Sequence, residues 1–492
     1  MNKILMTLTA SALLSLPSQS APSVSRPAQP NIILIMTDDQ GYGDMGWTGH
    51  PRIRTPELDR LRTGALAFSE FQTSPTCAPT RCALLSGRHE FYAGVTHTIY
   101  ERERMSLRVV TLPQTLKRAG YTTGIFGKWH LGDEAAYRPD QRGFDEVFIH
   151  GGGGIGQTYP GSCGDAPNNR YFDPYVLHNN QFEKTAGFCT DVFFRQALTW
   201  IDQAHTRGKP FFCYLTPNAP HSPYQAPDTW VAPYRNKGLS EDQAAFCGMV
   251  ANIDWNVGRL LKQLEAWKLS ENTLILFLGD NGTCQPKLYQ ANMKGSKGTP
   301  FEGGTRVGLL ARWKGVIPEN TTCSALTAHI DLYPTLCALA GAALPREQQM
   351  DGRSLVPLLT QPQAPWEDRM LFTHVGRWAP GGAVQLDPHV KGMPNITTWQ
   401  PTPQQSPLKY KNAAVRTARY RFYPETKTLY DIQKDRDETT DLAAQHPDVV
   451  ENLQAAYDRW WLDVLPGIMQ NENLKDVVSE NPFKQLYRLQ KF

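Results

Sequence analysis

The sequence predicts an α/β protein with one large domain and a smaller C-terminal domain. Short apolar runs with high β-propensity alternate with amphipathic segments of helical period. Several of these runs are continuously apolar, which is typical of strands buried on both faces of a parallel sheet. A chain of 492 residues is long enough to build both domains around a substantial core.

Charge and cysteine content narrow the functional class. The 50 basic and 47 acidic residues give a net charge of only +3, whereas a nucleic-acid-binding protein would normally carry a strongly basic face. Nine cysteines are too few for a disulfide scaffold in a chain of this size. Two of them, Cys163 and Cys189, flank a Gly-, Asn- and Pro-rich insertion and could pair across it.

The N-terminus is typical of an exported protein. Residues 1–20 combine an early lysine, an apolar run and a short polar stretch, which is the pattern of a cleaved signal peptide. Residues 21–30 are rich in Pro and Ser and are predicted to form a flexible lead-in. No later segment approaches the roughly 20 apolar residues that a membrane span needs. We therefore predict export to the periplasm or the medium, without a transmembrane anchor.

The first strand is predicted at residues 31–37, directly before Asp38 and Asp39. Open α/β sheets bind their ligands beyond the carboxyl ends of the strands, so two adjacent acids at this point form a candidate site. A solvated turn is the alternative for this pair taken alone. Residues 56–68 then show the apolar spacing of an amphipathic helix.

Cys77 and Arg81 flank the start of a short helix that is predicted to stop at Gly87. Free N–H groups and the helix dipole favour an anion beside Cys77, which is expected just before the first turn. The Arg81 guanidinium adds a planar cation suited to an oxyanion. The alternative is that Cys77 is a small buried apolar residue, the usual role of a free cysteine.

Three further strands are predicted to end in polar side chains. The strand at residues 121–126 is followed by Lys128 and His130. The strand at residues 210–215 is followed by a proline-rich loop that contains His221, and the strand at residues 273–278 is followed by Asp280 and Asn281. Lys297 follows in a Lys-Gly-Ser-Lys-Gly stretch. Because the carboxyl ends of parallel strands meet at one edge of a sheet, we expect all these groups to lie together. The intervening helices are predicted at residues 112–119, 191–205 and 241–269.

A glycine run at residues 151–156 follows a predicted strand at residues 144–149 and formally matches a dinucleotide-binding pattern. The pattern requires a helix directly after the glycines to receive the pyrophosphate. The next residues contain proline and further glycine and cannot form that helix, so we reject a dinucleotide site. Residues 151–190 are instead predicted to form a long loop beside the site.

Composition changes near residue 365, where Gly, Pro and Gln become frequent. We predict a catalytic domain at residues 31–370 and a C-terminal subdomain at residues 371–492. Within the subdomain, residues 415–423 and 428–430 are predicted to pair as antiparallel strands, followed by a helix at residues 449–462.

The polar groups fall into an anionic set and a cationic set. Oxygen donors are supplied by Asp38, Asp39, Asp280 and Asn281, and they favour calcium or magnesium over zinc. Cations are supplied by Arg81, Lys128, His130, His221 and Lys297. A metal and several cations around one nucleophile are suited to attack on an anionic ester.

Together these motifs resemble the type I sulfatases, the formylglycine-dependent family of the alkaline-phosphatase-like superfamily. The resemblance rests on DDQGYGD, CAPTR, GKWHLG, PHSPY, GDNG and KGTPFEGGTRV. It implies an α/β/α sandwich around a large mixed sheet, with a smaller C-terminal antiparallel sheet. It also implies an arylsulfatase-like sulfuric ester hydrolase in which a maturation enzyme oxidises Cys77 to formylglycine.

The resemblance assigns a role to each candidate residue. Calcium, or alternatively magnesium, would be bound by Asp38, Asp39, Asp280, Asn281 and the modified Cys77. Arg81 and Lys128 would hold the formylglycine hydroxyls, with Asp280 helping to deprotonate the attacking one. His221 and Lys297 would bind sulfate and protonate the leaving alcohol. His130 would take a proton from the second hydroxyl and so release sulfate.

The substrate is predicted to be a sulfated sugar, because an exported enzyme with aromatic and basic residues around its site suits a sugar better than a steroid or lipid. These residues come from the His97 loop, the 151–190 insertion and the start of the C-terminal region, and they are Tyr159, Tyr171, His374, Arg377, Trp378 and Trp399. Two alternatives stay open: a phosphomonoesterase or phosphodiesterase of the same superfamily, and a non-catalytic sulfated-glycan binder if Cys77 is unmodified.

Overall fold

The computed structural model describes residues 29–99, 101–159, 163–235, 237–377, 409–469 and 480–491. Its strands are β1 (Asn31–Thr37), β2 (Leu66–Gln72), β3 (Thr122–Lys128), β4 (Glu146–His150), β5 (Tyr175–His178), β6 (Gln181–Lys184), β7 (Phe211–Thr216), β8 (Thr273–Gly279), β9 (Arg306–Arg312), β10 (Thr321–Cys323), β11 (Thr327–Ala328), β12 (Leu371–His374), β13 (Ala413–Arg416), β14 (Tyr420–Tyr423) and β15 (Thr428–Asp431). Its α-helices are α1 (Pro56–Thr63), α2 (Cys77–Ser86), α3 (Leu112–Arg118), α4 (Cys189–Thr206), α5 (Asp228–Val231), α6 (Glu241–Ala266), α7 (Glu302–Thr305), α8 (Leu332–Ala340), α9 (Val356–Thr360), α10 (Pro447–Met469) and α11 (Pro482–Leu489).

Strand β1 lies inside a large mixed sheet. The sheet has eleven strands in the order β10-β2-β9-β8-β1-β7-β3-β4-β5-β6, with β11 paired to β2. β1 pairs in parallel with both β7 and β8, and β7 pairs in parallel with β3. β9 runs antiparallel to β8 and β2, and the β5–β6 hairpin is antiparallel to β4. The sheet therefore combines a parallel centre with antiparallel flanks.

The two faces of the sheet carry separate hydrophobic cores. Ile32, Leu34 and Met36 belong to a core shared with buried residues of α2, α3 and α8. Ile33 and Ile35 point the other way, into a core shared with α1, α4 and α6. Because alternate side chains of a strand face opposite sides of the sheet, a fully apolar strand packs against a layer of helices on each side. This is the α/β/α sandwich that the sequence predicted.

The predicted helix at residues 56–68 is wrong in its second half. Helix α1 ends at Thr63, and Leu66 already belongs to β2. In β2, Leu66 and Phe68 pair with β9 on one side and β10 on the other. The helical spacing of apolar residues runs across this boundary, but pairing with two strands distant in sequence decides the conformation.

The insertion at residues 151–190 is only partly a loop. Its later part forms the β5–β6 hairpin, and α4 already begins at Cys189. The predicted pairing of Cys163 with Cys189 is also wrong, because both are free and buried. Cys163 Sγ instead donates to Thr98 O at 3.4 Å.

The small sheet contains four antiparallel strands in the order β12-β13-β14-β15. The single strand predicted at residues 415–423 is wrong, since a turn separates β13 from β14. Helix α10 extends beyond the predicted residues 449–462 at both ends. The domain boundary at residue 370 stays a prediction.

Glu302, at the start of α7, joins the small sheet to the large one. Its carboxylate accepts hydrogen bonds from Arg421 Nη2 at 2.6 Å and Arg416 Nε at 3.4 Å. Burial alone would raise the pKa of Glu302, but Arg416 and Arg421 hold it below its ordinary value. Glu302 belongs to the stretch that follows Lys297, so this ion-pair network fixes the small sheet beside that lysine.

The predicted signal peptide and all but the last two residues of the predicted lead-in lie outside the described residues. Those two are hydrogen-bonded to the domain: Gln29 Nε2 donates to Ala340 O at 2.7 Å, and Pro30 O accepts from Tyr121 Oη at 2.8 Å. Among the described helices, none combines the length and the apolar character needed to cross a membrane.

Candidate active site

The polar residues predicted at separate strand ends meet at one edge of the large sheet. Asp38 and Asp39 follow β1, Lys128 ends β3, and Asp280 follows β8. Glycine permits this convergence at β3, because a Cβ on Gly127 would lie 1.9 Å from Thr216 O of the neighbouring strand. With φ at +121°, Gly127 also adopts a backbone conformation that favours glycine.

Cys77 is the first residue of helix α2 rather than the residue before it. Thr76 is the N-cap residue, and its side chain makes no capping hydrogen bond. Every residue of α2 is buried, and Cys77 is 2% exposed. The thiol therefore lies at a helix N-terminus whose dipole favours an anion, inside the protein rather than on its surface.

Arg81 and Lys128 are fully buried cations that bind the acids around Cys77. Lys128 Nζ donates to Asp38 Oδ2 at 2.7 Å, and Arg81 Nη2 donates to Asp280 Oδ2 at 2.8 Å. Arg81 Nη1 also donates to Lys128 O at 2.9 Å, which ties the helix to the end of β3. Such pairs are costly to bury and more costly to break, so they hold the cluster in one arrangement.

Asp39 is the centre of a second set of contacts. Lys297 Nζ lies 2.6 Å from Asp39 Oδ1 and 2.7 Å from Oδ2. Asn281 Nδ2 donates to Oδ1 at 3.0 Å, and Cys284 Sγ donates to Oδ2 at 2.9 Å. His221 Nε2 is 3.8 Å from Oδ2. One carboxylate thus links groups from β1, the His221 loop and the segment after β8.

These contacts set different charge states for neighbouring groups. Burial alone would raise the pKa of Asp39, but Lys297 and then His221 hold it below its ordinary value. Burial would lower the pKa of Lys297, but Asp39 raises it well above its ordinary value. For Asp280, burial and then the nearby Asp38 raise the pKa to about 6. Near neutral pH the Asp39–Lys297 pair is ionised, and Asp280 titrates close enough to neutrality to exchange a proton.

His130 is held as a neutral base. Its Nε2 donates to Thr98 O at 2.8 Å, so the neutral ring carries its lone pair on Nδ1. Nδ1 is buried and has no hydrogen-bond partner among the described residues. Burial, and then Lys128, keep the pKa of His130 well below its ordinary value. The ring is therefore neutral in the substrate-free site and presents at Nδ1 a lone pair without a partner in the described part of the chain.

His221 differs from Lys297 in its charge. His221 Nδ1 donates to Ser222 O at 2.6 Å, which leaves the lone pair of the neutral ring on Nε2. Burial lowers the pKa of His221 to about 3 against the opposing effect of Asp39. Of the two groups expected to protonate a leaving alcohol, Lys297 is therefore the one that carries a proton in the substrate-free site.

The glycine run packs directly against both histidines. A Cβ on Gly153 would lie 3.0 Å from His130 Cε1 and Nε2, and one on Gly154 would lie 3.0 Å from His221 Cε1. Asp165 and Asp133 accept N–H bonds from the run and hold it in place. The run thus forms the wall of the site rather than a phosphate-binding turn.

The donors around Cys77 fit a hard divalent cation. Cys77, Asp38 and Asp280 each offer a ligand atom, and these atoms lie within 4.8 Å of one another. Asp38, Asp39 and His221 form an overlapping group of the same kind. Asp38 Oδ1 and Asn281 Oδ1 are buried without a hydrogen-bond partner among the described residues. A bound cation would satisfy both oxygens.

A family model described as Sulfatase matches residues 30–342. The chain belongs to the sulfatase family. Arylsulfatase G of Mus musculus is 32% identical to this sulfatase over 378 residues, covering 68% of the chain and 70% of the relative. The N-acetylgalactosamine-6-sulfatase of Canis lupus familiaris is 32% identical over 392 residues, covering 74% of this chain and 72% of the relative. The crystal structure of Ps i-CgsB matches with a TM-score of 0.76 and 27% sequence identity, covering 94% of this chain and 97% of the Ps i-CgsB chain.

These similarities confirm the predicted family, fold class and enzyme class. The sulfatase is a sulfuric ester hydrolase with the alkaline-phosphatase-like fold. Members of the family generally use a divalent cation and a formylglycine, and the acidic cluster beside Cys77 is a possible site for the cation.

Sequence reasoning missed several residues of the site and misplaced others. Cys284 contacts Asp39, although nothing in its sequence context indicates this. Tyr171, expected on the substrate rim, is buried, and its hydroxyl donates to His221 O at 2.5 Å. His374 is also buried, next to Phe91 and Trp461. Of the other four rim predictions, Tyr159 is half-buried and Arg377 is exposed, whereas Trp378 and Trp399 lie outside the described residues.

Proposed function

We propose that this sulfatase releases sulfate from a sulfated sugar, with residue 77 as the nucleophile. The main support is the placement of Cys77 within 4.8 Å of carboxylate oxygens of Asp38 and Asp280, at the first position of a helix that also carries Arg81. A phosphatase of the same superfamily fits less well, because the family model that matches residues 30–342 is described as Sulfatase.

Once formed at position 77, formylglycine supplies a nucleophilic hydroxyl. Calcium or magnesium, when bound, supplies positive charge that favours binding of an anionic ester. Asp38, Asp39, Asp280, Asn281 and residue 77 would hold the cation. Arg81 and Lys128 would orient the hydroxyls of residue 77. Asp280, whose pKa is raised to about 6, would accept the proton of the attacking hydroxyl.

Lys297 and His130 would handle the remaining protons. Lys297 is charged through its contact with Asp39, and it would donate a proton to the oxygen of the departing alcohol. His221 would bind sulfate beside it, gaining charge when the anion arrives. His130 would accept the second proton at Nδ1, which has no partner among the described residues. Loss of that proton would break the C–O bond that joins residue 77 to the sulfate, so that the aldehyde re-forms and sulfate leaves with the oxygen.

Maturation and export follow from the same proposal. Because Cys77 is 2% exposed, an enzyme that oxidises it would reach the thiol in the unfolded chain. Export would be directed by residues 1–20. We also propose that residues 31–370 act as the catalytic domain and residues 371–492 as a subdomain that shapes the rim of the site.

The sugar specificity is supported by relatives and by the rim. One relative is named N-acetylgalactosamine-6-sulfatase, and the Ps i-CgsB structure is also known in complex with k-i-k-neocarrahexaose. Tyr159 and His97 are half-buried and Arg377 is exposed. An aromatic face and a cation at the mouth of a site are suited to a polar, anionic ring.

The test is a panel of sulfated mono- and disaccharides compared with 4-nitrophenyl sulfate, with released sulfate measured. We expect at least one sugar to be turned over with a kcat/KM at least about tenfold above that of the aryl sulfate, because remote contacts contribute to transition-state binding. Fast aryl sulfate turnover with no sugar cleaved would refute the sugar assignment.

Gly153→Ala is expected to lower kcat by about 10- to 100-fold while leaving the melting temperature nearly unchanged. The added methyl would move the His130 ring, and small displacements of a catalytic group are costly. The control is Gly64→Ala, where φ is −99° and the nearest neighbour of the new methyl is the Arg312 side chain at 3.3 Å. An unchanged kcat in Gly153→Ala would show that His130 does not need this position.

A further inference from the structure

Arg377 is an exposed cation that lies shortly after the end of β12 (Leu371–His374). Its N–H donates to Thr96 O at 2.9 Å, and its φ is +57°. Its Nη2 donates to Thr98 Oγ1 at 3.2 Å. An exposed arginine fixed at both backbone and guanidinium has already lost part of the conformational freedom that ligand binding would otherwise remove.

The contacts of Arg377 place it above the site on two sides. Thr98, whose hydroxyl binds Arg377, presents its carbonyl to His130 Nε2 at 2.8 Å. On the other side, a Cβ on Gly298 would lie 3.9 Å from Arg377 Nη1, and Gly298 directly follows Lys297. The guanidinium therefore lies between the His130 side and the Lys297 side of the mouth.

The charge of Arg377 has no acidic partner among the described residues. Two ionisable groups that its charge affects, His97 and Tyr159, are neutral. The pKa of His97 is lowered to about 3 by burial and then by Arg377, and the pKa of Tyr159 is raised, chiefly by burial. A fixed guanidinium beside neutral groups, at the entrance to a sulfate-binding site, suits an oxyanion with two coplanar acceptors.

We propose that Arg377 forms a second anion subsite that selects sugars carrying another sulfate or a carboxylate beside the scissile sulfate. This proposal rests on the proposed sugar sulfatase activity. It goes further by naming the substrates as multiply anionic glycans and Arg377 as the residue that distinguishes them from singly sulfated ones.

The test measures inhibition of 4-nitrophenyl sulfate turnover by three probes. They are N-acetylgalactosamine 6-sulfate, its 4,6-disulfate, and a glucuronate-containing disaccharide that carries one 6-sulfate. For the wild-type sulfatase we expect one or both multiply anionic probes to have a Ki about tenfold below that of the monosulfate, as for a charged hydrogen bond. The probe that shows the difference identifies whether sulfate or carboxylate is recognised.

In Arg377→Gln the ratio of Ki values should fall to within about twofold, and kcat/KM for the aryl sulfate should fall by less than this ratio does, because that substrate has no second anion. Arg377→Lys should keep part of the ratio. Arg259→Gln is the matched control: Arg259 lies on α6 with its guanidinium 4.7 Å from the Trp255 ring, and its loss should change neither quantity.

Three outcomes would overturn the subsite. The first is that the multiply anionic probes and the monosulfate have equal Ki values in the wild type. The second is that the ratio of these Ki values is unchanged in Arg377→Gln. The third is that Arg377→Gln lowers aryl sulfate turnover as much as it lowers this ratio, which would mean that Arg377 acts by positioning His130 through Thr98. If no sugar is cleaved or inhibits while the aryl sulfate is turned over, the sugar proposal falls together with the subsite. If sugars are cleaved without regard to a second anion, only the subsite falls.

Discussion

Cys77→Ala is expected to lower kcat for sulfate ester hydrolysis by about 10⁴-fold or more, because alanine has no thiol that can be oxidised to formylglycine and so provides no nucleophile. The fold should persist. Alanine is favourable in a helix, and removing one buried sulfur costs about 1 kcal/mol, which is small beside the stability of a domain. Sulfate release and the thermal melting curve measure the two effects separately.

Cys82→Ala is the matched control for this prediction. Cys82 is in the same helix and fully buried, but it belongs to the hydrophobic core on the α2 side of the sheet. We expect it to keep activity and lose a similar small amount of stability. Turnover like that of the wild type in Cys77→Ala would disprove the formylglycine mechanism. The intact mass of active wild-type protein gives a second check, because formylglycine is lighter than cysteine.

Asp280→Asn is expected to lower kcat by about 10²- to 10³-fold and to abolish stabilisation by calcium. Asp280 Oδ2 binds Arg81 at 2.8 Å, and Oδ1 accepts the N–H of Asp39 at 3.0 Å. Asparagine retains the acceptor for Asp39 but removes the negative charge. It thereby weakens the cation site and removes the group proposed to accept the proton from residue 77.

Loss of the charge also leaves Arg81 without its closest acidic partner, so stability has to be measured with activity. The control is Asp254→Asn, a buried acid away from the site that accepts N–H bonds from Glu57 and Leu58 at the start of α1. We expect this variant to lose stability but keep kcat. A normal kcat in Asp280→Asn would contradict both proposed roles of Asp280.

Metal removal tests the same centre without a substitution. A chelator should silence the wild-type enzyme and lower its melting temperature, and calcium or magnesium should restore both. A ligand at 100 times its Kd stabilises the native state by about 2.7 kcal/mol. In Asp280→Asn the chelator should leave the melting temperature unchanged. Restoration by zinc alone would contradict the assignment of this oxygen-rich site to calcium or magnesium.

The sequence was sufficient for the centre of the sheet. The strands predicted at residues 31–37, 210–215 and 273–278 agree within about one residue with β1, β7 and β8. Each is a continuous apolar run, and such a run is stable only as a strand covered on both faces. Because these strands are parallel neighbours, their polar ends had to meet, which brought Asp38 and Asp280 together.

The edges of the fold depended on partners distant in the chain. Residues 66–68 continue the helical spacing of α1 but pair with β9 and β10. The β5–β6 hairpin and the turn between β13 and β14 are short, and their pairing is stabilised by neighbouring strands rather than by local preference. Local patterns do not report such pairing, because the partner strands of β2 and β5 lie outside the segment that a local pattern covers.

In the active site, too, some features followed from the sequence and others depended on the tertiary structure. The sequence by itself determined the residue types of the chemistry, because Cys77, Arg81, Lys128 and the strand-end acids lie in recognisable local patterns. Only the tertiary structure decided which of them carry charge, that His130 presents Nδ1, and that Arg377 reaches the site. The physical reason is that pKa and tautomer depend on burial and on contacts between groups such as Asp39 and Lys297, which are 258 residues apart in the chain.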